Sequence, residues 1–247
     1  MSSIRSQARS EMSRLNVIRL LAFSMLLILP ATAGAQQGTP VAEQIAKTYG
    51  IDSFGQIEAI RFTWNAGPTI RKWEWSPKTD TVSFEGKDKD GKSIKVSYQR
   101  SQLSSQSDVI KNEIDPEFSN DQYWLLLPFH FVWDGPTVTD GGMHKLPLGD
   151  GSAEQIVAKY PSEGGYQPGD TWELYLGADK RIEEMVYRRG APNPPHLVIA
   201  TWVGYKKAGP LLFSTDHQGT RDGTPLRLTF TDVSVKMTGS ENWIDAK

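Results

Sequence analysis

The sequence of 247 residues contains no cysteine. A chain without cysteine forms no disulfide, offers no thiol nucleophile and cannot hold a metal through thiolates. The fold must therefore be stabilised by a hydrophobic core, and a chain of this length is long enough to bury one within a single domain.

The sequence also lacks the common catalytic and cofactor motifs. It contains no Gly-x-Ser-x-Gly nucleophile elbow, no phosphate-binding Walker loop, no His-Glu-x-x-His and no dinucleotide-binding fingerprint. The four histidines, His130, His144, His196 and His217, are all more than ten residues apart, so a metal site would require them to converge in space. We therefore expect no metal, no cofactor and no enzymatic activity.

No apolar run has the length of a membrane-spanning helix, and the short one near the N-terminus predicts a cleaved signal peptide over residues 1–35. Four arginines precede the apolar segment Leu20–Leu29, and Ala33-Gly34-Ala35 is a small-x-small cleavage site. This segment has about half the roughly 20 residues that a spanning helix needs, so a membrane anchor is the weaker alternative. No cysteine follows the cleavage site, which excludes a lipid anchor, and Met12 is an alternative start. We expect residues 36–247 to form one periplasmic domain.

A large excess of positive charge is absent as well. Residues 1–35 contain four of the 27 basic and one of the 29 acidic side chains, so the remainder carries a formal net charge of −5. This charge argues against a nucleic-acid partner and against electrostatic binding to an anionic membrane surface.

What the chain does contain is a strongly apolar segment, Tyr123–Trp133, with five aromatic residues and His130 as its ionisable group. Such a segment must be covered by other parts of the chain. Ser119–Gln122 has the capping-box pattern and predicts a short helix after it. Pro128 is expected to end this helix, and Phe129–Trp133 to run extended.

Most of the remaining chain predicts antiparallel strands. Val41–Tyr49 is expected to form an amphipathic first helix, and residues 109–114 a short helical stripe. The predicted strands are 57–65, 70–75, 81–85, 93–99, 137–147, 154–160, 171–176, 181–188, 196–205, 211–217 and 226–237. Residues 154–160 are open to a helical alternative, and a change of alternation predicts a β-bulge near Thr231-Asp232.

These elements predict a mainly β (α+β) fold. The order lacks the strand–helix–strand alternation of a parallel sheet, and a sheet of ten or eleven strands must curl, split or close. We expect one curved antiparallel sheet that forms an unclosed barrel, with two or three helices packed in or over its concave face. The apolar segment would then lie inside the curve.

Several motifs in this order resemble a known superfamily. They are Trp73-Glu-Trp75, Tyr123-Trp-Leu-Leu-Leu-Pro-Phe129, the paired strands from Asp170-Thr-Trp-Glu-Leu to Glu184-Met-Val-Tyr187, and Leu228-Thr-Phe-Thr-Asp-Val-Ser-Val235. Together they resemble the outer-membrane lipoprotein-sorting superfamily of periplasmic carriers and receptors, over most of residues 40–237. The resemblance implies an unclosed antiparallel barrel whose concave side binds acyl chains under a helical lid.

Aromatic side chains suit such a site, because an apolar wall gains about 0.8 kcal/mol for each ligand CH₂ that it buries. The candidates to line the hollow are Trp64, Trp73, Trp75, Tyr123, Trp124, Leu127, Phe129, Trp172 and Trp202. The alternative is that these residues simply fill the core.

The leading hypothesis is a binding or carrier protein for a hydrophobic small molecule, lipid or acyl chain, gated by residues 119–128. The second is an envelope interaction or scaffold protein with a filled cavity and a protein partner. The third is a hydrolase centred on His130, which has Asp134 four residues on; a structural histidine is the simpler interpretation.

Overall fold

The computed structural model describes residues 40–163, 167–190 and 194–247. The segment predicted to be a signal peptide, residues 1–35, lies outside these ranges. The described chain begins with helix α1 (Pro40–Tyr49), which buries Ile45 and Tyr49 on one face and confirms the predicted amphipathic helix. A 3₁₀ turn (Ile51–Gln56) joins it to the first strand.

The fold is mainly β, as the sequence predicts. Fourteen strands are present among the described residues: β1 (Ile57–Ala66), β2 (Thr69–Ser76), β3 (Thr81–Lys87), β4 (Ser93–Gln99), β5 (Thr137–Lys145), β6 (Ser152–Lys159), β7 (Thr171–Leu176), β8 (Ile182–Arg188), β9 (Leu197–Thr201), β10 (Lys206–Ala208), β11 (Leu211–Phe213), β12 (Asp216–Arg221), β13 (Thr224–Met237) and β14 (Trp243–Asp245).

One antiparallel sheet contains twelve of these strands. Its order is β4-β3-β2-β1-β13-β12-β9-β8-β7-β6-β5, with β14 added to β13, while β10 and β11 form a separate hairpin. The path ends at β4 and β5 without joining them, so the sheet is not closed into a barrel. The predicted unclosed antiparallel architecture is confirmed.

The sheet curves around helix α2 (Asp115–Trp133). Side chains from β1 to β9 and from β13 belong to one hydrophobic cluster with this helix, and His217 of β12 contacts Trp124 of the helix. A flat sheet of eleven adjacent strands would be about 50 Å wide, whereas a helix is only about 10 Å across. The strands can share one core with α2 only because the sheet wraps around it.

Helix α2 corrects the prediction for its own segment. It begins at Asp115, directly after a π-helical turn (Ile110–Ile114), rather than at the capping-box pattern. It also continues through Pro128 to Trp133, so the expected extended run from Phe129 does not exist. A proline inside a helix costs about 3 kcal/mol. Full burial of the neighbouring large apolar side chains, at about 1.5–3 kcal/mol each, outweighs that cost.

The strand boundaries differ from prediction near the C-terminus. The expected strand 196–205 ends at Thr201, and β14 has no counterpart in the prediction. β12 extends to Arg221 because its turn is made by Asp222 and Gly223, which both have positive φ. The predicted bulge is confirmed: the β1–β13 register shifts between Arg61 and Thr63, opposite Asp232, which has φ 52°.

Candidate functional site

The inner face of the sheet holds a buried ion pair in otherwise apolar surroundings. Arg71 of β2 donates from Nε and Nη2 to the two carboxylate oxygens of Asp121 of α2, both at 2.6 Å. Trp73 Nε1 donates to the same carboxylate at 2.9 Å. Asp121 is fully buried and Arg71 nearly so. This cluster joins the helix to the sheet through a bidentate, charge-assisted contact.

Arg71 has an outer partner as well. Its Nη1 lies 3.2 Å from Oε1 of Glu117, whose side chain is 42% exposed. The guanidinium carbon lies 3.8 Å from the ring centre of Trp64, which gives a cation–π contact. Arg71 is thus held on its inner side by Asp121, beneath by Trp64 and on its solvent side by Glu117.

A second arginine contacts α2 one turn earlier. Arg100 donates from Nε to Asp115 Oδ1 at 2.6 Å and from Nη2 to Ser119 Oγ at 3.1 Å. Tyr98 of β4 also donates to Asp115, at 3.0 Å. The N-terminal half of α2 is therefore attached to the sheet by two arginine–carboxylate pairs.

Burial governs the electrostatics of this cluster. It raises the pKa of Asp121, and the hydrogen bonds from Arg71 oppose that rise. It also raises the pKa of Glu117, again against the attraction of Arg71. Removing two charges from water costs free energy that their attraction repays only with good geometry. A pair of this kind is weak evidence for stability, but it fixes the position of the helix in a specific way.

A groove of about 810 Å³ opens beside this cluster, at the tips of the β1–β2 and β3–β4 hairpins. Its lining includes Arg71, Glu117 and the inward-facing positions Gly86 and Ile94. Ile70, at the same tip, is 54% exposed. The groove therefore connects solvent with the outer side of the Arg71–Glu117 contact.

A somewhat larger groove, about 850 Å³, lies over the opposite face of the sheet. Several of its charged side chains are paired with neighbours: Asp245 accepts from Arg61 and Ser234, and Glu85 lies between Lys72 and Lys95. These residues alternate along the strands with those that face α2. This groove is therefore separated from the helix by the sheet, and the smaller groove is the better candidate for access to the interior.

The second half of α2 carries a separate polar cluster around His130. Its Nδ1 lies 2.9 Å from Asp134 Oδ2 and its Nε2 lies 2.8 Å from Gln122 Oε1. The ring stacks on Tyr123, which also bonds to Asp134. Burial lowers the pKa of His130 to about 3 and raises that of Asp134 to about 6.

The nine residues predicted to line the hollow all contribute to the main hydrophobic core, eight of them buried and Trp75 partly buried. Trp64 and Trp73 lie at the Arg71–Asp121 pair. Trp124 stacks on Trp202, with ring centres 5.8 Å apart.

The remaining candidates lie elsewhere in that core. Phe129 and Trp75 both contact Phe54. Leu127 and Tyr123 are buried on α2, and Trp172 contacts Tyr187 on the neighbouring strand. The structure thus brings most of the aromatic candidates against α2, in a packed arrangement.

The arginines and their carboxylate partners were missed by sequence reasoning, although one signal was available. Arg71 lies two residues before Trp73 and four before Trp75, so alternation places all three on the same face of β2. A charged residue in register with buried tryptophans needs a buried partner. Sequence patterns do not point to Asp121 as that partner, because it lies 50 positions away along the chain.

Two further observations apply to the described part of the chain. None of its helices is both long and apolar enough to cross a membrane. In the same ranges, no three His, Asp or Glu side chains converge in a group that could hold a metal ion.

Comparisons with known proteins give structural matches alone. No protein-family model and no curated protein matches the chain. Among solved structures, a DUF1329 family protein from Desulfovibrio piger is 8% identical with a TM-score of 0.40, and the match covers 82% of this chain and 93% of that one. A LolA superfamily protein from Nitrosomonas europaea is 8% identical with a TM-score of 0.40, covering 79% and 93%.

The lipoprotein LppX from Mycobacterium tuberculosis is 7% identical with a TM-score of 0.29, covering 78% of this chain and 94% of that one. One of the three proteins is described as a member of the superfamily that the sequence resembles. All three matches are similarities of structure at low sequence identity.

Proposed function

We propose that this protein is an exported, periplasmic binding or carrier protein for a hydrophobic ligand, such as an acyl chain or lipid. The ligand would be held between the inner face of the sheet and helix α2. One observation supports this most. Helix α2 fills the concavity and makes apolar contacts there, whereas the two carboxylates of its N-terminal half, Asp115 and Asp121, accept hydrogen bonds from Arg100 and Arg71. The proposed activity is binding, not catalysis.

In this proposal, α2 acts as the lid. When α2 moves away, a ligand chain takes the place of the apolar side chains of the helix. The closed, empty state and the open, ligand-bound state therefore bury similar apolar areas. Each ligand CH₂ that is buried contributes about 0.8 kcal/mol to binding. The arginine–carboxylate pairs define the closed position, because a bidentate pair has one favourable geometry.

The decisive experiment is extraction of protein purified from its native host without detergent, followed by mass spectrometry of the organic phase. We expect lipid or fatty acid to co-purify, and a dansylated fatty acid to bind to the delipidated protein with energy transfer from tryptophan. If nothing co-purifies and the probe does not bind to a protein that is folded by circular dichroism, the carrier function is wrong.

A second candidate is an envelope interaction or scaffold protein whose concavity stays filled. The stacking of Trp124 on Trp202 and the full burial of Leu127 and Phe129 favour it. Failure of the binding experiment would leave this candidate in place, with a protein partner in the envelope. A hydrolase centred on His130 is disfavoured, because both ring nitrogens already bond within α2 and its end.

A further inference from the structure

The groove beside Arg71 is richer in positive charge than the rest of the protein. Its acidic lining residues are Glu85, Asp88 and Glu117, and its basic ones are Arg71, Lys72, Lys87, Lys89 and Lys95; of these, Lys72, Glu85 and Lys95 lie on the rim that it shares with the larger groove. The chain after residue 35 has a formal net charge of −5, so this local excess of two positive charges is opposite in sign to the whole. Charge of one sign concentrated in a groove attracts ligands of the other sign.

Not all of these positive charges are neutralised by neighbours. Glu85 accepts from both Lys72 and Lys95, so one carboxylate serves two ammonium groups. Lys89 is paired with Glu113 but is 69% exposed. Lys87 has no acidic partner within the described ranges. Lys87 is therefore available to an anion, and the exposed Lys89 can serve one by exchanging its contact with Glu113.

Arg71 supplies a deeper contact at the same place. Asp121 takes its Nε and Nη2, and Nη1 is left to Glu117, which is half-exposed and lies on the groove side. An incoming carboxylate or phosphate oxygen can replace Glu117 at Nη1 while Asp121 remains bound. The exchange swaps one anion for another at a guanidinium, so no buried charge is left unpaired.

We propose that this groove binds the anionic head group of an amphiphile whose apolar chain enters the space between α2 and the sheet. The inference rests on the proposed function and names the chemical class of its ligand: a carboxylate or phosphate joined to a hydrocarbon chain. Lys87 and Lys89 contact the head group from the hairpin, and Arg71 contacts it from within.

The test compares two dansylated probes that differ only in charge, 11-(dansylamino)undecanoic acid and its methyl ester, by tryptophan-to-dansyl energy transfer. We expect the acid to bind about three- to tenfold more tightly than the ester at low salt, and this ratio to shrink at high salt. Lys87→Ala combined with Lys89→Ala should lower the ratio by about twofold or more, and the preference that remains is due to Arg71. Glu117→Gln, which removes the competing anion, should tighten binding of the acid about two- to fivefold without tightening the ester.

The matched control is Lys159→Ala, which removes an exposed lysine on β6 that has no ion pair in the described part of the chain. Its ratio of acid to ester affinity should equal that of the unaltered protein. If acid and ester bind equally, the head-group site is wrong while the proposed function stands. If neither binds, the proposed function fails and the head-group site fails with it.

A competition experiment distinguishes an amphiphile from a small soluble anion as the source of the anionic group. Inorganic phosphate and a lysophosphatidic acid are each used to displace the dansylated acid. Displacement by the lysolipid at concentrations where phosphate has no effect supports the amphiphile. Equal displacement by phosphate alone would overturn it in favour of a small soluble anion.

Discussion

At the scale of single residues, the position of α2 depends on polar groups set in an apolar interior. Arg71 and Asp121 are bonded to each other twice and lie between Trp64 and Trp73. A hydrophobic pair of similar size would pack at least as well. The pair instead specifies where the helix lies, and breaking it from one side leaves a buried charge without its partner.

Asp121→Asn should therefore lower the free energy of unfolding by about 3–5 kcal/mol, because the Arg71 charge loses its carboxylate in a buried site. The measurement is urea unfolding followed by tryptophan fluorescence. The double variant Arg71→Met with Asp121→Leu should recover most of the loss. Glu85→Gln, which disturbs an exposed pair, is the control and should leave the free energy of unfolding nearly unchanged. A cost below about 1 kcal/mol for Asp121→Asn would show that the buried pair does not hold the helix.

His217 provides a prediction for pH. It is fully buried between Trp202 and Phe230 and donates from Nδ1 to Thr201 O at 3.2 Å. Among the residues that the structure describes, its Nε2 has no hydrogen-bond partner. Burial lowers the pKa of His217 to about 3. Below about pH 6.5 the unfolded chain therefore binds a proton at His217 that the folded chain does not bind. The free energy of unfolding consequently falls as the pH decreases from about 6.5 towards 3.

His217→Phe should reduce the loss of stability between pH 7 and pH 4.5 by about 2.5 kcal/mol, since the slope for one proton is about 1.4 kcal/mol per pH unit and acts from about pH 6.5 downwards. Urea unfolding at the two pH values measures it. His144→Phe, on the exposed strand β5, is the matched control and should leave the pH dependence unchanged. An equal pH dependence in His217→Phe and the unaltered protein would contradict the assignment.

At the scale of elements, sequence patterns correctly predicted the helices, strands and turns whose formation depends mainly on interactions between neighbouring residues. Helix α1 and the β1–β4 hairpins follow from alternation and turn residues, and the bulge at Asp232 follows from the change of alternation in β13. Two features could not be predicted in this way. α2 passes through Pro128 because tertiary burial exceeds the local penalty, and Arg71 finds Asp121 only through the packing of distant segments.

The bulge in β13 carries a prediction of its own. Asp232 has φ 52°, and its Oδ2 accepts from Thr63 Oγ1 at 2.9 Å. Asp232→Val should lower the free energy of unfolding by about 1–2 kcal/mol or more, because a β-branched residue is strained in the left-handed region. Asp232→Asn should cost less, since asparagine tolerates this conformation. Chemical unfolding of both variants measures the difference, and equal costs would mean that backbone strain is not the cause.

At the scale of the whole molecule, an open sheet encloses one long helix. The helix is attached at Arg71 and Arg100 on the side of β2 to β4 and packs on Trp202 towards the other side of the sheet. Ligand entry under the proposed function requires α2 to move relative to β4. The absence of cysteine allows this movement to be measured with two introduced labels.

We expect spin labels at Asn120→Cys and Ser97→Cys, both exposed positions on α2 and β4, to report a longer or broader distance distribution when a dansylated fatty acid is added. Electron–electron double resonance measures it. The control pair, Ser97→Cys with Arg227→Cys on β13, four strands away in the same sheet, should keep its distance. Full occupancy by the probe without any change at the first pair would overturn the role of α2 as a lid.

The sheet path that stops at β4 and β5 has a mechanical consequence. A complete ring of strands can enlarge only by breaking backbone pairing, whereas a ring with a gap can spread by a small change of twist at each strand pair. All the interstrand hydrogen bonds survive such a change. Under the proposed function, one chain could therefore accommodate ligands of different width, with the elastic cost shared across eleven neighbouring strands.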